Sequence, residues 1–448
     1  MMARYEKLIS NKLMIMGSKK IVFVFFAVIM ASVVHAQKST QFVLINPLNT
    51  HRNDELVVIS RNQLEKNTGL IPASKYVIVS DKNNRPYVLQ HDDLNGDGKW
   101  DEIVFLQSFK PLEKVFLQFS ISNSPATVKS VVRAHARHIR KNADDTFGSD
   151  LLKDSIPAGQ LGADFNVVKL PPFLTEGPAW ENDKVGFRIY LDVRNGKDIW
   201  GKTTSKMMMD EVGVNPADNY HVQSAWGMDI LKVGKSLGAG SLAMIVPVNG
   251  KDSLVRLGAV NMGRVIYSKI SDGPVRAVIR LTYPEWKVLD GISAVTVTEE
   301  ISIWGGQYFY QSKVSVKNAP AKAKIVTGIV NLHSKEVKEL HNKTTAFIYT
   351  YDMQSENKDQ LGMSIVLPPT TVYKTGQTPN KETDVQNTYY MSADVNKKHP
   401  FTYRFYAGWE KSETFFATET GFRNYLIEQA KFYAAPVQVA FKVLPAAK

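Results

Sequence analysis

The 448-residue chain contains no cysteine. Disulfides, thiolate metal sites, cysteine nucleophiles and a lipid anchor on Cys are therefore excluded, and any chemistry falls to oxygen, imidazole, amine or guanidinium groups. Histidine is scarce, nine residues in all, and no His-x-x-x-His or His-Glu-x-x-His pair offers zinc-binding spacing. A Gly-x-Ser-x-Gly elbow is absent, and Gly234-Lys235-Ser236 lacks the upstream glycine of a phosphate loop. Long apolar runs are absent too. The one candidate, Ile21 to Val34, falls short of the ~20 residues that span a bilayer.

That run follows Lys19-Lys20 and ends at Val34-His35-Ala36, the pattern of a secretory signal peptide over residues 1–36. It predicts a periplasmic or secreted protein with no transmembrane segment after signal removal. The net charge of +12 then falls to +8, from 50 basic and 42 acidic groups. The excess is scattered through loops such as Lys317 to Lys324, and no basic stripe interleaved with aromatics argues for nucleic acid. With 44% hydrophobic and 22% charged residues the chain reads as soluble and globular.

Period-2 alternation dominates what remains. Short β-rich runs from Phe42 to Ile121, separated by Asn, Asp, Gly and Pro, predict a small N-terminal β domain over residues 37–125. The polar stretch 126–160 reads as a linker or surface excursion. Residues 161–448 hold a second series of strands without long helices between them, predicting a large antiparallel β-sandwich and an all-β fold class. Phe422, Tyr425, Leu426 and Ala430 have helical spacing before Pro436, so one packing helix is expected near the C-terminus.

Asp93-Leu94-Asn95-Gly96-Asp97-Gly98-Lys99-Trp100-Asp101 is the sharpest local motif. Oxygen side chains at Asp93, Asn95, Asp97 and Asp101, a turning glycine and the Lys99 carbonyl suit Ca²⁺, which takes six or more oxygens. Val104 stands where an EF-hand has its bidentate acid, so a structural clip between strands is expected.

In Val185 to Val193, alternation puts Arg188, Tyr190 and Asp192 on one face; in Phe401 to Glu410 it puts Arg404, Tyr406 and Glu410 on one face. Two such faces can line one groove and clamp a carboxylate or sugar hydroxyls. Between them, Asn219 to Gly240 crowds Tyr220, His221, Trp226 and Asp229 into a loop, the usual place for functional groups on a β scaffold. His333 emerges at a strand end. Glu299 shares parity with Val297 and Ile301, which points to a core ion pair.

Asp-Leu-Asn-Gly-Asp-Gly-Lys-x-Asp-Glu, then Glu-Gly-Pro-Ala-Trp-Glu-Asn-Asp with Phe-Arg-Ile-Tyr-Leu-Asp, then Tyr-His with Trp-Gly-Met-Asp, resemble the DUF4861 family of secreted Bacteroidetes proteins over about Phe42 to Leu444. The resemblance implies a galactose-mutarotase-like sandwich from polysaccharide utilisation, with saccharide dehydratase or lyase chemistry in at least one branch. The expected substrate is an oligosaccharide or polysaccharide, and the expected reaction is β-elimination beside a uronic acid carboxylate, a carbon–oxygen lyase activity. Such elimination needs a base, an acid and a cation. His221 or His333 would be base or acid, with Tyr220 or Tyr406 as partner. Arg188 with Lys202 or Arg404 would clamp the carboxylate, and Tyr190, Trp180 and Trp226 would complete the sugar surface. The alternatives are a noncatalytic glycan-binding protein using Trp180, Trp226 and Trp409, and a hydrolase with Glu181 and Asp229 as paired carboxylates.

Overall fold

Strand accounts for 44% of the described residues and helix for 9%, which settles the all-β class. In this computed structural model the described residues are 40–442 apart from 382 and 397; the signal-peptide expectation for 1–36 lies outside them. No helix among them is long and apolar enough to cross a membrane.

The alternation read from sequence becomes burial. The strand Val295–Trp304 buries Val295, Val297, Glu299, Ile301 and Ile303 and leaves the intervening side chains half-exposed. It lies near the middle of a nine-stranded sheet that continues through Phe309–Lys317, Phe401–Trp409 and Leu361–Val366, paired antiparallel. Two five-stranded antiparallel sheets share a core with it. One, the charged sheet, runs in the order Gly227–Asp229, Lys197–Lys202, Val185–Ile189, Ala179–Asn182, Ala134–Arg137. The other is built around Ala239–Val248 and Lys324–Val330. Phe187 and Ile189, Leu242 and Ile325, and Ile301 and Phe405 contribute to this one core from the three sheets. Inside it Lys197 Nζ meets Glu299 Oε1 at 2.5 Å, the ion pair that the parity of Glu299 led us to expect.

Residues 40–122 form a four-stranded and a three-stranded sheet around their own cluster, including Phe42, Leu44, Ile59 and Phe119. The four-stranded sheet takes its edge from the end of the chain. Gln438–Lys442, expected within the large sandwich, pairs antiparallel with Thr40–Ile45. The stretch 126–160, expected as a linker or surface excursion, instead carries edge strands: Ala134–Arg137 borders the charged sheet and Lys153–Ile156 the nine-stranded one. Its polar composition is that of strands with a solvent side.

The helix Glu419–Ala434 begins at Thr418, whose side chain accepts the Gly421 N–H, and buries Phe422, Leu426 and Ala430. Phe422 sits over the register pair Gly362 and Gly408, where added Cβ atoms would lie 2.4 and 2.7 Å from its ring. Side chains at either position would lift the helix off the sheet.

Candidate active site

Phe187 and Phe405 face each other across the core, ring centroids 6.3 Å apart. The residues adjacent to each on its strand point the other way. Arg188 therefore projects from the outer face of the charged sheet and Arg404 from the outer face of the nine-stranded sheet. The single groove expected from the two strands does not form; parity was right for each strand, but the strands belong to opposed sheets.

Arg188 stands in register with Asp198 on the neighbouring strand. Its Nη2 donates to Asp229 Oδ2 at 2.6 Å, to Asp198 Oδ2 at 2.8 Å and to the Tyr190 hydroxyl at 3.0 Å; Nη1 donates to the Thr175 carbonyl at 3.2 Å and lies 3.6 Å from Glu176. The Tyr190 hydroxyl donates to Asp198 at 2.6 Å. Arg188 is 1% exposed, and its fork is spent on its own protein rather than left free to clamp a substrate. Thr175 and Glu176 reach it from a turn with consecutive left-handed backbones, φ 48° and 65°, a conformation unfavourable for non-glycine residues. The turn is held by Arg137, which donates to the Leu174 and Gly177 carbonyls and to Thr175 Oγ1.

Over this face runs the irregular segment 203–226. Trp200 packs on Tyr220 at 5.3 Å and on Trp226 at 5.8 Å. Glu181 Oε1 accepts the backbone N–H groups of Met208 and Met209 at 2.6 and 2.7 Å. His135 bridges Asp210 in the segment, at 3.0 Å, to Asp272, at 3.1 Å. Burial opposes its charge, but the two carboxylates outweigh this and push it up to about 10. On its outer side the segment lines a cavity of about 540 Å³ with Tyr220, Gln223 and Trp226.

Among the side chains gathered around Arg188, His221 is the exposed one, at 59%, with Nδ1 3.4 Å from Asp229 Oδ2 and its ring 4.6 Å from that of Tyr220; Glu211 and Asp218 are exposed on the cavity wall. Desolvation, then the Arg188 charge, lower its pKa, which favours the neutral imidazole. Burial, then Asp198, raise Asp229 well above the carboxylate range, against the pull of Arg188. Burial raises the Tyr220 phenol as well. A neutral imidazole beside a protonated phenol, with a carboxyl group behind, is equipped to accept one proton and donate another. His333 lies 4.0 Å from Glu356, whose charge also acts on His221.

Several expected site residues lie elsewhere. Lys202 is buried, ion-paired with Glu181, and donates to the Asn182 and Lys206 carbonyls, both at 2.7 Å; its three donors are used. Burial lowers its pKa despite the Glu181 charge. Trp180 is a core side chain packed on Phe187 and Tyr310, and Trp409 is equally buried. Tyr406 is buried on the outer face of the nine-stranded sheet against Phe309 and Tyr425, away from His221. Asp198, Glu176, Arg137 and His135 were not singled out from sequence. For Asp198 the alternation of Lys197–Lys202 carried the signal, since Asp198, Trp200 and Lys202 share a face.

In the Asp93–Asp101 loop, Asp93 accepts the Gly96 and Gly98 N–H groups, both at 2.7 Å, Asp101 accepts that of Leu94 at 2.8 Å, and Asp97 accepts that of Lys99 at 2.9 Å. Asp93 Oδ1 also accepts the Asp97 N–H at 3.3 Å, while Asp93 Oδ2, Asp97 Oδ1 and Asp101 Oδ2 each retain a second lone pair for a cation. Among the described residues, however, no group of three or more His, Cys, Asp or Glu side chains is gathered to hold a metal ion. The Leu94 carbonyl accepts from Arg280 on the nine-stranded sheet at 3.0 Å, which places the loop apart from Arg188.

The fold and site define an all-β protein of packed antiparallel sheets with a buried ionic cluster beneath an irregular cover. The chain belongs to DUF4861, a family defined by a domain of unknown function, whose family model matches residues 44–439. A relative from Formosa agariphila, called uncharacterized protein P7, is 22% identical over 427 residues, covering 89% of this chain and 92% of its own. Among solved structures, an alpha-mannosidase from Enterococcus faecalis V583 is similar at TM-score 0.49 and 11% identity, covering 90% of this chain and 46% of its own. A glycosyl hydrolase family 38 protein from Enterococcus faecalis is similar at TM-score 0.49 and 10% identity, with 90% and 47% covered. This chain spans about half the length of those two proteins. At these scores the overlaps are partial, and the fold rests on the sheet topology.

Proposed function

We propose that this protein is a secreted or periplasmic carbohydrate-active enzyme that performs β-elimination on uronic-acid-containing oligosaccharides at the His221 site. The observation that carries the reading is the exposed His221 lying 3.4 Å from the buried Asp229 and beside Tyr220, before the Arg188 charge. In the reaction His221 takes the C5 proton beside the carboxylate. The C5–H electron pair forms the C4=C5 bond, the C4–O bond breaks, and Tyr220 protonates the departing oxygen. Asp229 orients the imidazole from behind, and Arg188 holds Asp229 and supplies positive potential as charge develops on the uronate.

The alternatives have less support. Of the three tryptophans considered as glycan platforms, Trp180 and Trp409 are each 1% exposed, leaving Trp226 alone beside a cavity. A hydrolase pair of Glu181 and Asp229 would need two accessible carboxylates, and Glu181 is fully occupied by Lys202, Met208 and Met209.

Incubation with uronate oligosaccharides tests the reading, because elimination creates a C=C bond that absorbs in the ultraviolet. Wild-type protein should raise that absorbance, and His221→Ala should lose about 10² to 10⁴-fold in rate with an unchanged circular dichroism spectrum. New reducing ends without new absorbance would make the protein a hydrolase. Full activity in His221→Ala would move the base to His333 if His333→Ala is inactive.

A further inference from the structure

On the opposite outer face, the nine-stranded sheet meets the strand Arg52–Ser60 and the end of the helix Glu419–Ala434 around a cavity of about 370 Å³. That is near the lower end of the ~300 to 1,000 Å³ range of small-molecule sites, suited to one ring rather than a chain. Three guanidinium groups line it: Arg52, Arg276 and Arg404. Arg52 pairs with Glu55 at 3.2 Å, and Arg276 pairs with Asp92 and with Glu102. Among the described residues no carboxylate forms an ion pair with Arg404. Its Nε donates to Gln311 Oε1 at 3.2 Å, and its guanidinium carbon lies over the rings of Tyr433, Phe309 and Trp304 at 4.0, 4.6 and 5.4 Å. Arg52 and Arg276, both more than nine-tenths buried, each keep an Nε with no hydrogen-bond acceptor in the protein.

Both Nε atoms are themselves shielded, so the guanidinium open to a ligand oxygen is that of the half-buried Arg404. A planar fork fixed by aromatic stacking is also pre-organised for an oxyanion, so little freedom is lost on binding. The apolar side chains of Val58 and Val437 at its rim suit the C–H face of a pyranose.

We propose that this cavity is a second saccharide site that binds one anionic sugar residue, with its carboxylate or sulfate ester on Arg404 and its ring against Val58, Val437 and the free edge of Tyr433. The sugar class rests on the carbohydrate reading above; the anion does not. Because its walls come from the N-terminal strands, the large sheet and the C-terminal helix, an occupant joins all three and raises the unfolding temperature.

The test uses the intact protein with D-glucuronate, glucose 6-sulfate, D-glucose and inorganic sulfate, read by calorimetric titration and thermal unfolding. Glucuronate or glucose 6-sulfate should bind and stabilise. Arg404→Lys, which keeps the charge and loses the fork, should weaken that binding at least 10-fold. Val58→Phe, changed at the 38% exposed lip of the cavity, should do the same while folding normally. Leu70→Ser, changed at an 89% exposed position outside both sites, should bind as wild type, and because binding rather than turnover is read, failure of the elimination reading and failure of this one are separable. Unchanged binding in both cavity variants, or no binding by either acidic sugar, would overturn the site. Glucose binding as tightly as the acidic sugars would overturn the anion, and inorganic sulfate binding as tightly would overturn the sugar.

Discussion

Glu181→Gln tests how the cover over the candidate site is fastened. In the wild type one carboxylate neutralises the buried Lys202 and accepts two backbone N–H groups of the covering segment. Glutamine keeps the shape, but one terminal atom becomes a donor and the negative charge is gone. Breaking a buried pair from one side typically costs about 3 to 5 kcal/mol, because the remaining charge stays desolvated. An upper bound on the charge contribution follows from letting Lys202 give up its proton: from an ordinary pKa of ~10.4 this costs about 4.6 kcal/mol at pH 7. The two figures agree, and they predict a pH signature. In the variant the folded-state pKa of Lys202 is depressed, so the unfolded chain binds more protons and stability rises with pH from about 7 toward 10. In Glu181→Gln/Lys202→Met no unpaired charge remains, and most of the loss should return. Urea denaturation at several pH values, with hydrogen exchange at the Met208 and Met209 amides, provides the measurement. A loss below about 1 kcal/mol, or a double variant no more stable than the single one, would refute the reasoning.

Asp229→Asn should lower kcat by about 10² to 10⁴-fold with little change in KM, since Asp229 acts on His221 and not on substrate; pre-steady-state and steady-state assays separate the two. Because the His221 pKa is lowered, the acid limb of kcat/KM should fall below the ordinary ~6.5 of histidine, and a limb near pH 8 would contradict the base assignment. Chelation should lower the melting temperature and Ca²⁺ should restore it if the Asp93–Asp101 loop binds calcium, with the response lost in Asp97→Ala; a wild-type protein indifferent to chelator rejects the site. Trp226→Ala should raise KM more than it lowers kcat if the 540 Å³ cavity holds part of the substrate.

The elements that proved legible in sequence depend on neighbours along the chain. Alternation placed Arg188 and Tyr190 on one face and put Glu299 inside, and i, i+4 spacing located the helix carrying Phe422 and Leu426. What proved illegible depends on which strand lies beside which. Parity says that Arg188 and Arg404 face away from their apolar neighbours, but it is silent on whether two strands share a sheet. Here Phe187 and Phe405 met in the middle and sent the arginines outward. Lys202 and Trp180 looked like surface groups because their partners, Glu181 and Tyr310, come from other strands. The strained turn at Thr175 and Glu176 left no sequence signal, because neither residue type is associated with a left-handed backbone.

The pairing of Thr40–Ile45 with Gln438–Lys442 has a temporal consequence. As the chain leaves the ribosome, the first strand must wait for nearly four hundred residues before its second neighbour exists. Until then one edge of the small sheet carries open N–H and C=O groups, and the half-buried Val439 and Phe441 are missing from its apolar cluster. A contact between the two extremes of the sequence carries a large loop-closure cost and slows folding. Truncation before Gln438 should therefore first expose the beginning of the protein, and limited proteolysis should cut it near residue 50 before the large sheet is touched.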